Sequence, residues 1–124
     1  MNNLVVKNLT KELERIKNFN EIIGNAIVNR NGLLISSSLP RDIDERRFGA
    51  LAATMFEAVE TATSSFDQNQ IKNLTVDYQD CHLIILGIDD KMINVSLIEK
   101  DTNLGLIFIE IEESIKEFRK IIEM

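Results

Sequence analysis

The chain has 124 residues, of which 44% are hydrophobic and 27% are charged, the balance of an ordinary soluble protein. This length suits about one domain, so we expect residues 1–124 to form a single unit around one core. Twenty acidic residues against fourteen basic ones give a formal net charge of -6. That charge opposes binding to nucleic acid or to an anionic membrane surface, because both require clustered cations.

The start of the chain and its cysteine content give no sign of export, anchoring or metal binding. The first residues lack an apolar signal segment and the glycine that myristoylation requires. No apolar run reaches the length of a membrane span. The one cysteine, Cys81, excludes an intramolecular disulfide, and with the one histidine, His82, it cannot build a zinc site. We therefore expect a cytoplasmic protein without a metal or other cofactor.

The first third of the chain predicts a helix followed by a β-hairpin. Apolar residues at helical spacing predict a helix over residues 4–19, with Glu12 on its polar side. Residues 22–29 and 33–37 are apolar runs joined by residues 30–32, of sequence Arg-Asn-Gly, in which Asn and Gly tolerate the positive φ of a tight turn. We predict that these two strands pair as a hairpin.

A long helix is predicted over residues 43–66, followed by a loop over residues 67–70. Asp42 and Glu45 have the spacing of a capping box, in which one carboxylate accepts a backbone N–H of the helix and the other reaches back to the cap. Apolar residues recur at steps of three and four and form one stripe along the helix: Phe48, Leu51, Ala52, Met55, Val59, Ala62 and Phe66. Alanines on the flanks would let another helix approach closely.

The rest of the chain predicts three strands and a closing helix. Residues 71–78 alternate apolar and polar, as a half-buried strand does. Residues 83–88 are apolar on both faces and predict a central strand covered on both sides, and residues 93–97 alternate again. Residues 103–123 return to helical spacing, with Asn103 as the cap.

The predicted order is therefore αββαβββα. Short connections between the strands predict a mainly antiparallel sheet of five strands. Because a strand that is apolar on both faces needs helices on both faces, we expect three layers, with the long middle helix on one face and the other two helices on the opposite face.

Several segments, in this order, resemble the Roadblock/LC7 domain family. Residues 24–39 have the family's opening hairpin, in which an apolar strand, a polar turn ending in Gly32 and a second apolar strand run into small polar residues. The alanine-rich helix from Phe48 to Phe66 is similar to the family's second helix, and residues 83–97 are similar to its closing strands. The entry Asn103-Leu104-Gly105-Leu106 resembles the start of its last helix, so the resemblance spans nearly the whole chain.

The resemblance implies a three-layer, profilin-like α/β fold that dimerises. In the family the third strands pair edge to edge and the second helices pack against each other. An open strand edge favours the first contact, and a helix with small side chains favours the second. The matching positions here are Leu51, Ala52, Met55, Val59, Ala62, Ile71, Asn73, Leu74, Thr75 and Val76. We expect a homodimer built on these residues.

The resemblance also implies a binding platform. Members of the family regulate or scaffold small Ras-like GTPases in prokaryotes, serve as dynein light chains or signalling scaffolds in eukaryotes, and do not hydrolyse GTP. A short stand-alone domain most resembles the prokaryotic class, and the chain carries no phosphate-loop motif. We expect a non-enzymatic homodimeric adaptor that binds and regulates a small Ras-like GTPase. The alternative is a nucleotide-independent structural scaffold for larger assemblies.

Two further classes of function have less support. A small-ligand sensor would need a sizeable apolar pocket, and the filled helix stripes argue against one. An enzyme would need an acid–base or nucleophile pair. Cys81 and His82 do not supply one, because neighbours in a strand point to opposite faces.

Two groups of charged residues are candidate sites. Arg41, Arg46 and Arg47 form a basic cluster in an acidic chain and could contact an acidic partner such as a GTPase; the alternative is pairing with neighbouring carboxylates, as surface charges commonly do. Four aspartates could surround a cation only if their turns converge, and turn chemistry accounts for each of them: Asp77, Asp80, Asp89 and Asp90.

Overall fold

A computed structural model describes residues 1–66 and 71–123, and the predicted loop over residues 67–70 lies outside this part of the chain. The elements are α1 (Asn3–Ile16), β1 (Ile22–Asn29), β2 (Leu34–Ser38), α2 (Glu45–Ser64), β3 (Leu74–Asp77), β4 (Cys81–Gly87), β5 (Met92–Glu99) and α3 (Leu104–Ile122). The predicted order αββαβββα is confirmed. The largest differences in bounds are at α1, which ends at Ile16 instead of residue 19, and at β3, which begins at Leu74 instead of residue 71.

The five strands form one antiparallel sheet in the order β2-β1-β5-β4-β3. The hairpin of β1 and β2 therefore lies at one end of the sheet, and β5 pairs with both β1 and β4. This order leaves β2 and β3 as the two edge strands. The register places Asp77 of β3 opposite His82 of β4.

The helices cover both faces of the sheet, as predicted. On one face, α1 and α3 pack against a cluster that includes Ile84 and Leu86 of β4. On the other face, α2 packs against a cluster that includes Leu83 and Ile85 of the same strand. Alternate residues of β4 thus contribute to two separate apolar layers, which explains why this segment is apolar throughout.

The prediction that Glu12 lies on the polar side of α1 is wrong. Glu12 is only 8% exposed, and its carboxylate accepts hydrogen bonds from Arg15 at 2.9 and 2.6 Å and from the Ser114 hydroxyl of α3 at 2.9 Å. A buried carboxylate is tolerated because it is paired in this way. The hydrogen bond with Glu12 in turn raises the pKa of the Arg15 guanidinium.

The cap of α2 also differs from the prediction. Asp44, not Asp42, accepts the hydrogen bond from the Arg47 N–H, at 3.2 Å. A turn closed by the Ile43 N–H on the Pro40 carbonyl places Asp42 before the first helical residue. Glu45 does not reach back to the cap, because its carboxylate accepts a hydrogen bond from the Ser37 hydroxyl of β2.

Small residues let α2 lie close to the sheet. Its buried residues are Gly49, Ala52, Ala53 and Phe56. A Cβ atom at Gly49 would lie 3.3 Å from a methyl group of Val28, tighter than ordinary van der Waals contact. The core-facing side of α2 is therefore built from thin residues around one large ring, that of Phe56.

A candidate dimerisation surface and basic cluster

Most of the apolar stripe of α2 does not face the core of its own chain, and Ala52 alone among its members is buried. Leu51 and Phe66 are 54% and 71% exposed, Ala62 is exposed, and Met55 and Val59 are half-buried. At about 100° per residue, the centre of the stripe lies roughly a quarter of a turn around the helix axis from the buried face. The helix therefore presents an apolar flank that this chain alone does not cover.

The edge strand β3 adjoins this flank. Its apolar residues Leu74 and Val76, with Ile71 just before the strand, pack in the same apolar cluster as Met55. On its other face, the Thr75 hydroxyl donates to the Asn73 side chain at 2.8 Å. Within the described part of the chain β3 pairs with β4 alone, so backbone N–H and C=O groups along its outer side are open to a further strand.

The structure thus groups the residues that the resemblance indicated, with one exception. Ala52 has no exposed surface and packs in the core of the α2 layer. It cannot contribute accessible area to an interface. The remaining positions lie on the uncovered flank of α2, along β3 or just before it, and we call this combined area the α2–β3 surface.

The basic cluster lies at the start of α2. Arg41, Arg46 and Arg47 are all exposed, and none of them forms a salt bridge with a carboxylate in residues 1–66 or 71–123. Of the three acidic residues nearest in sequence, Asp44 caps the helix and Glu45 binds Ser37, while Asp42 is exposed. The three guanidinium groups are therefore available for contacts with a partner.

Sequence reasoning missed Arg30, which joins three elements. Its Nη1 donates to Glu60 of α2 at 2.6 Å, and its Nε and Nη2 donate to the Asp89 carbonyl after β4 at 3.3 and 2.9 Å. The guanidinium lies 5.2 Å from the centroid of the Phe56 ring, a cation–π distance. No periodic pattern marks such a residue, because each of its partners is distant in sequence.

Arg30 also lines an open groove of about 640 Å³ between α2, the turn after β4 and the end of α3. Its walls include the apolar side chain of Ile71 and the charged side chains of Lys72 and Arg119. Arg119 is held there by the Ile88 carbonyl, to which its Nε donates at 2.6 Å. An open groove of this kind is not the enclosed apolar pocket that a small-ligand sensor would need.

The residues considered as possible catalytic or metal-binding groups make structural contacts. His82 Nδ1 lies 2.6 Å from Asp77 Oδ1 across β3 and β4, whereas Cys81 packs in the α2-side cluster. Asp89 accepts the backbone N–H groups of Lys91 and Met92, each at 2.8 Å, so its role in a turn is confirmed. Across residues 1–66 and 71–123, no three His, Cys, Asp or Glu side chains converge as metal ligands would.

Most of the chain matches a known domain family. The Roadblock/LC7 domain family matches residues 8–95, most of the chain. The chain belongs to the Roadblock/LC7 domain family. The family resemblance of the sequence is thereby confirmed, and so is the three-layer α/β fold expected from it.

Solved structures of the family have the same architecture. The chain is similar to MglB of Myxococcus xanthus, with a TM-score of 0.92, 22% identity and coverage of 99% of this chain and 93% of that one. A Roadblock/LC7 domain from Streptomyces avermitilis gives a TM-score of 0.85 at 12% identity, covering 93% of this chain and 98% of that one. The high TM-scores establish a shared fold, and at identities this low they establish the fold alone.

A relative of similar length occurs in Methanocaldococcus jannaschii. It is the uncharacterized protein MJ1340, which is 24% identical over 98 residues, covering 79% of this chain and 85% of that protein.

Among the described residues, no helix combines the length and the apolar character needed to cross a lipid bilayer.

Proposed function

We propose that this Roadblock/LC7 chain is a prokaryotic, cytoplasmic, non-enzymatic adaptor that forms a homodimer and binds and regulates a small Ras-like GTPase. The observation that carries the proposal is the α2–β3 surface, in which an uncovered apolar helix flank adjoins an open strand edge. Membership of the family supports the proposal, because the resemblance implies dimers of this kind and GTPase partners for them.

A second copy of the chain suits the α2–β3 surface. Two copies of β3 can pair antiparallel about a two-fold axis, which joins two sheets into one and uses the same surface on both chains. The same axis would bring the two α2 flanks together. Leu51 and Phe66 are 54% and 71% exposed, so covering what remains accessible of each is worth about 1–2 kcal/mol.

The basic cluster is the proposed contact to the GTPase. Arg41, Arg46 and Arg47 are exposed cations in a chain of net charge -6, so they suit an acidic patch on a partner. The adaptor would regulate by binding one nucleotide state of the GTPase more tightly than the other. A ligand of this kind shifts the switch loops only by its differential affinity for the two states.

The test uses the small Ras-like GTPase encoded nearest to this chain in the same genome. Its affinity for the chain is measured by calorimetry after loading with GDP or with a non-hydrolysable GTP analogue, together with its hydrolysis and exchange rates. We expect an affinity difference of roughly tenfold or more between the two states, or a comparable change in one rate. Replacing the three arginines by alanine should weaken the tighter complex.

The outcome separates regulation from scaffolding. Equal affinity for both nucleotide states with unchanged rates would contradict regulation and favour the nucleotide-independent scaffold. Absence of any complex with the GTPase would contradict the proposed GTPase binding and leave the structural scaffold, which needs no GTPase. A variant in which three exposed lysines on other surfaces are replaced by alanine controls for the loss of positive charge: Lys91, Lys100 and Lys120.

A further inference from the structure

The hydrogen bonds between β3 and β4 determine which backbone groups β3 offers at its open edge. The Tyr78 N–H donates to the Cys81 carbonyl at 2.8 Å. These two residues lie opposite each other, one step beyond the pair of Asp77 and His82. Opposite residues in an antiparallel ladder alternate between hydrogen-bonded and non-hydrogen-bonded pairs. Asp77 therefore exchanges no backbone hydrogen bonds with His82.

The same alternation continues along β3. Leu74 and Val76 direct their N–H and C=O groups toward β4, because their pairs are the hydrogen-bonded ones. Thr75 and Asp77 direct theirs to the open edge, and Asn73 is the next position of this kind. The side chains alternate as well, since Leu74 and Val76 pack in the cluster under α2, whereas Thr75 and Asn73 contact each other on the opposite face.

The proposed dimer restricts how two copies of β3 can pair. A two-fold axis that brings both α2 flanks to one face of a joined sheet runs perpendicular to that sheet. Because opposite residues share a face, such an axis places one residue of β3 directly opposite its own copy. Moving this centre by one residue slides the chains past each other by two residues, about 7 Å. The central residue therefore decides which parts of the two α2 flanks meet.

We propose that two copies of β3 pair with Thr75 at the two-fold axis. This register uses every outward position of the segment, because Thr75 faces its own copy and Asn73 faces Asp77 at both ends. On the α2 face it places Leu74 opposite Val76 of the second copy, an apolar contact. The inference rests on the homodimer of the proposed function and specifies which residues of the two chains meet.

The side chains on the face opposite α2 suit this register. Asn73 Oδ1 accepts the Thr75 hydroxyl at 2.8 Å, which leaves the Asn73 Nδ2 group to donate to the Asp77 carboxylate of the second copy. That carboxylate is accessible, since the Asp77 side chain is 74% exposed although it contacts His82. Each end of the pairing thus combines one amide donor with one carboxylate acceptor.

The neighbouring registers use less of the edge. A pairing centred on Val76 places Asn73 opposite the turn that follows β3, and one centred on Leu74 places Asp77 opposite the apolar Ile71, before the strand begins. Both leave outward backbone groups without partners at the ends. A pairing centred on Asp77 places two carboxylates opposite each other, which is destabilising.

Disulfide cross-linking of the full chain tests the register. The Thr75→Cys, Leu74→Cys and Val76→Cys substitutions are each made in a Cys81→Ala background, and linked dimers are followed on non-reducing gels in a glutathione redox buffer. At the axis the two Cα atoms of residue 75 lie about 5.5 Å apart, within the range of a disulfide. Residues 74 and 76 lie about 8 Å from their own copies, beyond that range. We expect Thr75→Cys to link roughly tenfold faster than the other two or more, and Lys120→Cys on α3 measures chance collisions.

An exchange of two residues tests the ends of the pairing. The Asn73→Asp variant places like charges opposite each other at both ends and should raise the dimer dissociation constant roughly fivefold or more. The Asn73→Asp/Asp77→Asn variant restores one amide and one carboxylate at each end and should recover the natural value. The Gln79→Glu variant adds the same charge in the turn after β3 and should have a smaller effect. Sedimentation equilibrium measures all three.

The outcomes separate this register from the dimer itself. Faster linking at residue 74 or 76 than at residue 75, or no recovery in the exchanged variant, would contradict the register and leave the dimer. A chain that sediments as a dimer but links at none of the three positions would show that β3 does not pair with its copy. A monomeric natural chain would contradict the register and the homodimer together. No GTPase takes part, so failure of the nucleotide-state experiment would leave the register standing.

Discussion

Arg30 and Glu60 form an ion pair in which Nη1 lies 2.6 Å from Oε1, and this pair joins the turn after β1 to the C-terminal half of α2. Both side chains are 28% exposed, so water screens the pair less than it would at an open surface. The same guanidinium donates to the Asp89 carbonyl. One side chain therefore fixes the position of α2 relative to the end of β4.

We expect the Arg30→Met variant to be less stable than the natural chain by about 2–3 kcal/mol, because it loses hydrogen bonds of a charged group and a cation–π contact. Urea unfolding followed by circular dichroism measures the change. The Glu60→Gln variant keeps the size of the side chain and one acceptor, so it should cost less. Equal losses in the two variants would mean that the contacts to Asp89 and Phe56 contribute little.

Gly87 is expected to act through Arg30. A Cβ atom at Gly87 would lie 3.0 Å from Arg30 Nη2, so the Gly87→Ala substitution should displace the guanidinium and destabilise the chain. In the Arg30→Met background the added methyl group meets no guanidinium, and most of this loss should disappear. A double-mutant cycle of unfolding free energies checks the coupling, for which we expect about 1 kcal/mol or more. Additive losses would show that Gly87 is needed for another reason.

Periodicity predicted the elements whose residues are buried on one side or on both. The apolar run of β4 reports burial on both faces directly, so the order of elements and the two-sided cover of the sheet followed from the sequence. The alternation of residues 93–97 predicted a strand correctly but not its burial, because the polar residues Asn94 and Ser96 of β5 are buried as well. Boundaries were less accurate, because local contacts decide them. Asp44 rather than Asp42 caps α2 since a turn from Pro40 to Ile43 precedes the helix.

The stripe on α2 shows the limit of the same reasoning. Helical spacing correctly identified one continuous apolar stripe, but it could not distinguish the face that packs on the sheet from a flank left uncovered. The buried face is formed by Phe56 and by three small residues that give little periodic signal: Gly49, Ala52 and Ala53. Glu12 was misplaced for a related reason, because its burial depends on Ser114, far away in the sequence.

Asn25 offers a test of a buried polar group. It is fully buried in β1, and neither its Nδ2 nor its Oδ1 has a hydrogen-bond partner among the described residues. The Asn25→Val variant removes this unsatisfied amide and places a β-branched residue in a strand, so we expect a gain in stability of about 1 kcal/mol. Thermal or urea unfolding measures it.

Asn94 is the matched control for Asn25. It is equally buried in β5, but its Nδ2 donates to the Ala26 carbonyl at 3.1 Å and its Oδ1 accepts from Ser96 at 3.2 Å. The Asn94→Val variant leaves those groups unpaired and should lose about 1–3 kcal/mol. If both variants lose stability to the same extent, Asn25 is satisfied in solution by a bound water molecule.

The pH dependence of the Arg15 contact follows from its raised pKa. The hydrogen bond with Glu12 raises the pKa of Arg15 in the folded chain above its ordinary value. A group whose pKa is raised on folding contributes stability that is fully present below the unfolded pKa and is lost as the pH rises through the folded pKa. The stability difference between the natural chain and the Arg15→Met variant should therefore be constant between about pH 7 and about pH 10. Unfolding at several pH values measures it, and a difference that shrinks in this window would show that Arg15 does not stabilise as a cation.

The α2–β3 surface is tested most directly by two leucines of similar exposure. Leu51 is 54% exposed on the uncovered flank of α2, and Leu106 is 61% exposed on α3, in the layer on the opposite face of the sheet. If the flank pairs with a second copy, the Leu51→Glu variant buries a carboxylate beside its two-fold mate and should shift the chain to monomers at micromolar concentration. The Leu106→Glu variant adds the same charge outside this surface and should sediment like the natural chain. Sedimentation equilibrium on both variants, with circular dichroism to confirm folding, separates the cases. A natural chain that is already monomeric, or a Leu106→Glu variant that dissociates as readily as Leu51→Glu, would contradict the proposed interface.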